Sequence, residues 1–182
     1  MIKYTQYRRR GFTLIELLVV ILIIGILTAV ALPKYRASAE IAKATLLLQT
    51  LKQIVKAQED YYLVNRAYTV NLEDLELEIP GATNIGTYSN KPMYQIANGS
   101  KILFDVQSST SPYLAGGTDY VQIDVGLKKS NYTSGGYCYA RSDAQVAEKV
   151  CRSLGVKTFS NTGCGMIIAG QGIPCKGGRF SI

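Results

Sequence analysis

Arg8-Arg9-Arg10-Gly11-Phe12-Thr13-Leu14-Ile15-Glu16-Leu17-Leu18 is the stretch that decides this chain: three arginines run into an apolar segment that carries one carboxylate. From Phe12 to Leu32 there are 21 residues, and Glu16 is the only charged one. As a helix the segment rises about 31 Å, the depth of a bilayer's hydrocarbon core. An ionised side chain at the centre of such a helix costs roughly 2.5–3.5 kcal/mol or more. Lys3, Arg8, Arg9 and Arg10 precede it, on the side expected to stay cytoplasmic. A plain membrane anchor explains length and flank but leaves Glu16 without a purpose. A secretory signal peptide, cut after Ala29-Val30-Ala31, and a twin-arginine export signal, echoed in Arg9-Arg10-Gly11-Phe12, also compete. The mature N-terminus separates these readings.

Gly11-Phe12-Thr13-Leu14-Ile15-Glu16-Leu17-Leu18-Val19-Val20 resembles the prepilin signature of type IV pilins and the related pseudopilins. The likeness continues through Gly25, Ala29, Ala31, Leu32-Pro33 and Tyr35, over about the first 55 residues. The resemblance implies cleavage by a prepilin peptidase between Gly11 and Phe12, then N-methylation of the Phe12 amine. It implies a precursor held in bacterial inner-membrane lipid and an inner-membrane pilus or secretion assembly machinery as partner. It also implies a homo-oligomeric helical filament that ends as an extracellular pilus serving adhesion, motility or DNA uptake. Three regions follow: a leader over 1–11, a long helix over 12–63 whose 12–32 part spans the membrane or fills the filament core, and a head over 64–182.

Composition narrows the rest. A cut after Gly11 leaves 171 residues, enough for one small domain plus an extended helix. The formal charge of +7 falls to +3 once the four leader positives go, so the basic balance is weak support for nucleic-acid binding. There is no histidine, which excludes Ser–His and Cys–His catalysis and the commonest metal ligand. The glycines from Gly165 to Gly172 lack the lysine of a phosphate loop. No catalytic residue, metal site or cofactor is expected, and the chain does not read as an enzyme.

Cys138, Cys151, Cys164 and Cys175 all lie in the last 45 residues and none forms a CxxC pair. An even number behind an export-type leader points to two disulfides. Of the three possible connectivities, Cys138–Cys151 with Cys164–Cys175 is favoured. Each bond would close a short loop and add roughly 2–4 kcal/mol.

Beyond Lys34 the pattern turns amphipathic. Ile41, Ala44, Leu48, Leu51, Val55 and Tyr62 recur at helical spacing, with Leu47 and Ile54 beside them. Gly25 and Pro33 weaken the helix at its middle, by about 1 and 3 kcal/mol. They mark either a soft segment for subunit packing or simply the membrane exit. Asn65 to Pro92 reads as irregular, with one capped turn over Asn71-Leu72-Glu73-Asp74-Leu75. In pilin-like proteins such a region covers a sheet edge or faces the filament exterior.

About four antiparallel strands follow. Met93–Ala97 and Lys101–Gln107 flank an Asn98-Gly99 turn; Tyr120–Val125 alternates apolar and polar; Gly136–Ala140 is the fourth. Ser142 with Gln145 predicts a capping box for a short helix stopped by Gly155, and Thr158–Ile182 reads as loop. The fold class is α+β and pilin-like: a long N-terminal helix on an antiparallel sheet, with a disulfide-stapled C-terminal region.

Swapping lipid for like helices gains little apolar free energy. Glu16 is therefore expected to set the axial register of an incoming subunit, by pairing with the Phe12 amine of its own or a neighbouring chain. A pseudopilin of a type II secretion system shares this logic, although Asp105, Asp119 and Asp124 form no clear calcium cluster. A DNA-binding competence subunit is the other alternative. Lys128, Lys129, Arg152, Lys157, Lys176 and Arg179 would make its basic patch, beside Tyr132, Tyr137 and Tyr139 for stacking.

Overall fold

The computed structural model describes residues 11–107, 111–127, 135–160 and 174–181. Helix α1 runs Leu14–Asn65 without interruption. The chain divides into two compact units at Arg36/Ala37, three residues past Pro33.

The first unit, as far as it is described, is the apolar half of α1. Phe12 is 83% exposed, and Leu14, Ile15 and the apolar residues through Leu32 are exposed too. Neither Gly25 nor Pro33 breaks the helix assignment.

The second unit is one antiparallel sheet with helices on one face. Its strands are β1 Thr83–Tyr88, β2 Lys91–Gln95, β3 Lys101–Asp105, β4 Tyr113–Gly117, β5 Val121–Gly126, β6 Gly136–Arg141 and β7 Cys175–Phe180. They lie side by side in chain order, a seven-stranded meander. That exceeds the expected four. β1 falls within the stretch expected to be irregular, and β7 within the tail expected to be loop.

The missed strands have two causes. β1 is exposed along most of its length, so no face imposes an apolar alternation. β4 and β7 contain Gly116-Gly117 and Gly177-Gly178, residues that weaken strand propensity. Their glycines serve close approach. A Cβ on Gly116 would come within 2.8 Å of Leu51 Cδ1 and 2.9 Å of Leu47 Cδ1, so α1 lies directly on the strand. A Cβ on Gly178 would meet Val156 at 2.3 Å.

The α1 residues in the core are Ala44, Leu47, Leu51, Ile54 and Gln58, spaced 3, 4, 3 and 4. The expected stripe through Leu48 and Val55 is rotated by about one residue. Both are only partly buried, while Leu47 and Ile54 are fully buried. The stripe meets Ile102 and Phe104 of β3, Leu114 of β4, and Val121, Ile123 and Val125 of β5 in one core. Fully burying each such side chain is worth roughly 1.5–3 kcal/mol.

Gln58 is the polar member of that stripe. Its Nε2 donates to the Thr69 carbonyl at 2.7 Å, and its Oε1 accepts from the Thr69 N–H at 3.1 Å. It thereby holds the chain leaving α1 against the helix. The turn at Leu72–Asp74 is 3-10, and Asn71 makes no side-chain cap. The Asn71 amide donates instead to Asp74.

Helix α2, Gln145–Ser153, packs on β6 and β5. Ser142 does not cap it. Ala144 is the N-cap and carries no side-chain cap bond; the Ser142 N–H donates to the Pro174 carbonyl, and Asp143 pairs with Arg141 at 2.7 Å. Gly155 stops the helix with a φ of 104°, as its backbone freedom allows. The β2–β3 connection is a turn closed by Gly99 N–H to Ile96 C=O, with Gly99 at φ 82°. Asn98 keeps negative φ and accepts from the Ser100 N–H through Oδ1. The pattern fits a type I turn ended by a left-handed glycine rather than the two-residue primed turn expected.

Cys138 on β6 and Cys151 on α2 form a disulfide with a Cα–Cα distance of 5.7 Å. It ties the helix to the sheet and closes a 13-residue separation. Cys175, the first residue of β7, is disulfide-bonded as well, while Cys164 lies outside the described residues.

Candidate functional site

The candidate site is the start of α1. Gly11, Phe12 and Thr13 precede the helix and are exposed. Among the described residues, no atom beyond its chain neighbours lies within 4 Å of where a Gly11 Cβ would stand. Thr13 is the N-cap and Glu16 the third helical residue. The Glu16 N–H donates to Thr13 Oγ1 at 3.3 Å, while Glu16 Oε2 accepts from the Thr13 N–H at 2.9 Å and from the Thr13 hydroxyl at 2.7 Å. This is a reciprocal capping box, Thr-x-x-Glu, which satisfies donors that a helix start otherwise leaves open. The carboxylate also sits where the helix macrodipole favours negative charge.

The signature Thr13-x-x-Glu16 was present in the sequence, and Thr13 is the functional residue that sequence reasoning passed over. It supplies Glu16 with partners inside one chain. The Glu16 carboxylate therefore has hydrogen-bond partners within its own chain.

One further polar side chain of this segment is satisfied locally. The Thr28 hydroxyl donates to the Ile24 carbonyl at 2.6 Å. Pro33 has no N–H for the Ala29 carbonyl one turn back. A Cβ on Gly25 would meet nothing within 4 Å, so its small size leaves open surface rather than fitting a neighbour in the chain. This helix is long and apolar enough to cross a membrane. The exposed, mostly apolar helix from Leu14 to Leu32 far exceeds what a soluble surface carries singly, so lipid or protein must cover it.

The head carries a second polar arrangement on the sheet face away from the helices. Strand register lines up Met93, Leu103, Ala115, Asp124, Tyr137 and Arg179 across β2 to β7. Asp124 is buried, and burial pushes its carboxyl up to about 7. An amide hydrogen bond from Gln122 at 2.9 Å opposes that shift, and the Asp105 charge adds to it. Asp105 itself pairs with Lys91. Among the described residues, no group of three or more acidic, histidine or cysteine side chains could hold a metal.

The expected basic patch is divided by this register. Arg179 lies over the Tyr137 ring at 4.9 Å, Tyr137 and Tyr139 stack at 6.1 Å, and Gly177 makes room for the Tyr139 ring. Lys176 pairs with Ala140 and so belongs to the opposite face, with α2. Arg152 on α2 bonds Glu148 at 2.9 Å and covers the Phe159 ring. Lys128, Lys129 and Tyr132 lie outside the described residues.

The chain thus joins a capped helix start to an exposed apolar span and a meander head. Residues 6–32 match the family model described as the prokaryotic N-terminal methylation motif. The type IV wide pilus major component PilA4 of Thermus thermophilus is 48% identical over 62 residues, covering 34% of this chain and 47% of that protein. The type II secretion system core protein G of Pseudomonas aeruginosa is 32% identical over 128 residues, covering 62% of this chain and 90% of that protein. The type IV major pilin protein PilE1 of Neisseria gonorrhoeae is 37% identical over 94 residues, covering 50% of this chain and 54% of that protein. No solved structure matches the chain. The chain belongs to the type IV pilin and pseudopilin family.

Proposed function

We propose that this protein is the structural subunit of a type IV pilus filament. It enters the inner membrane as a precursor and is cut between Gly11 and Phe12 by a prepilin peptidase. Methylation of the Phe12 amine follows, and the assembly machinery then polymerises the chain through the apolar half of α1. Adhesion, motility or DNA uptake would be the purpose of such a fibre. One observation carries the reading: a fully exposed apolar helix whose single carboxylate, Glu16, sits in the first turn beside the scissile bond. That helix needs one covering before assembly and another after it. Glu16 gives the second covering a register that apolar packing alone does not supply. Gly25 and Pro33 act in this reading as the soft part of the segment, and the Cys138–Cys151 and Cys164–Cys175 bonds harden the head.

The test is Glu16→Ala in cells that make the fibre. The variant should reach the membrane and be processed normally while surface fibres are lost or greatly reduced. Wild-type fibre yield from the variant would refute the role given to Glu16.

A second reading, the pseudopilin of a type II secretion system, is favoured by the similarity that covers 90% of core protein G. Deletion separates the two. Loss of surface fibres supports the pilin, whereas loss of exoprotein release with fibres intact supports the pseudopilin.

A further inference from the structure

We propose that Lys34, Tyr35 and Arg36 form a binding site for the headgroups of anionic phospholipids, in the leaflet away from the cytoplasm. The proposal rests on the reading above that the apolar half of α1 lies in lipid before assembly, and it names the lipid class that receives it. Between Glu16 and Glu40, Lys34 and Arg36 are the only charged side chains, and they follow directly on Leu32-Pro33, where the apolar run ends. All three residues are exposed, Tyr35 by 72%. Helix α1 continues through them without interruption, so helix geometry fixes their depth. Lys34 stands about 30 Å along the axis from Leu14, at ~1.5 Å per residue. That matches the hydrocarbon thickness of a bilayer. With the Leu14 end at one surface of the apolar layer, Lys34 to Arg36 reach the headgroups of the other.

The side chains suit that level. A tyrosine ring is amphipathic and settles at the membrane–water boundary. Lysine and arginine lay their stems along apolar surface and hold the charge out in the polar layer. A guanidinium also meets a phosphate with two parallel hydrogen bonds. Arg36 has no acidic partner among the described residues. Successive helical residues point about 100° apart, so the three side chains spread around the helix and address more than one lipid.

Charge balance singles out the anionic class. Basic residues beside a membrane span are favoured on the cytoplasmic side. In the precursor Lys3, Arg8, Arg9 and Arg10 supply that bias. A cut after Gly11 removes all four and leaves the Phe12 amine there, with Glu16 against it. Lys34 and Arg36 then remain on the far side, so the processed chain carries its basic residues against the rule. Negative headgroups offset that reversal, whereas zwitterionic ones bring no net charge. A lipid held by the embedded subunit and not by the fibre also weights the chain toward the membrane, by mass action.

Electron spin resonance of the full processed chain in phosphatidylcholine vesicles tests this. The vesicles are doped with spin-labelled phosphatidylglycerol or spin-labelled phosphatidylcholine, and the spectrum reads how much of each the protein immobilises. The wild-type chain should favour phosphatidylglycerol about fivefold or more, the scale set by one basic residue at an anionic surface. Lys34→Gln with Arg36→Gln should bring the ratio to about one, and Lys34→Arg with Arg36→Lys should keep it. Molar salt should collapse the wild-type preference, since screening shortens to ~3 Å. A ratio near one in the wild type, or a preference that survives the glutamine pair, overturns the site. Binding of soluble glycerol phosphate with no lipid preference assigns the cations to a free phosphate and overturns it too. The vesicles hold unassembled subunits, so each of these results leaves the filament reading standing. Absence of surface fibres from cells overturns that reading, while the lipid site stands or falls on the vesicles alone.

Discussion

Replacing Asp124 by asparagine should stabilise the head, and by more at high pH than at low. Asp124 lies in the middle of the sheet, between Ala115 and Tyr137, with Gln122 as its hydrogen-bond partner. Its carboxyl titrates at an ordinary 3.8 when unfolded and at about 7 in the fold. A raised carboxyl means the native state binds the proton more tightly than the unfolded chain. Stability is then fullest below pH 3.8, declines as pH rises and is lowest above pH 7. At about 1.4 kcal/mol per tenfold difference in proton affinity, the ionised carboxylate costs roughly 4 kcal/mol at pH 8 and under 2 kcal/mol at pH 5. Asparagine keeps the shape and an acceptor for the Gln122 amide, and it carries no charge. Urea unfolding of the fragment 37–182, wild type against Asp124→Asn, at both pH values measures the difference. The variant should gain roughly 3 kcal/mol more at pH 8 than at pH 5. An equal change at the two pH values, or a loss at pH 8, would refute the account of a carboxyl held neutral by burial.

Other parts of the account are open to similar checks. Cys138→Ser with Cys151→Ser should cost about 3 kcal/mol in the same urea assay, for the loop their bond closes. Gly116→Val should destabilise by roughly 1–3 kcal/mol, because its side chain would enter the space of Leu47 and Leu51; a melting temperature equal to wild type would contradict the close helix–strand contact. Gln58→Leu should lower stability by roughly 1–3 kcal/mol per orphaned group, since the Thr69 N–H and C=O would lose their partners. Thr13→Val should weaken the first turn of α1 by about 1 kcal/mol. Faster amide hydrogen exchange over residues 14–18 in lipid nanodiscs is its readout.

The parts of this molecule legible in the sequence were those where one environment imposes one pattern. The apolar run to Leu32, the helical recurrence through Ala44 and Leu51, and the alternation of Val121, Ile123 and Val125 each report a continuous face. The hidden parts have mixed causes. β4 and β7 spend strand positions on glycine so that α1, Val156 and Tyr139 can come close, and propensity reads those glycines as breaks. The polar member of the core, Gln58, answers to the backbone of Thr69, a partner no periodicity reveals. Ser142 looked like a cap because of Gln145, but its backbone is committed to Pro174 and the helix begins after Ala144. At the candidate site, Glu16 stood out through its cost in an apolar setting. Its partner Thr13 stood in the Thr-x-x-Glu spacing of a capping box, but inside an apolar run the acid of that box reads as a stray charge.

The central claim is that this chain is cut beside Phe12 and polymerises. Mass spectrometry of the N-terminal peptide from purified surface fibres tests it most directly. The account predicts that peptide to begin at N-methylated Phe12 in the fibre's own subunit. A mature chain starting at Leu32 and found only as a released monomer would contradict it.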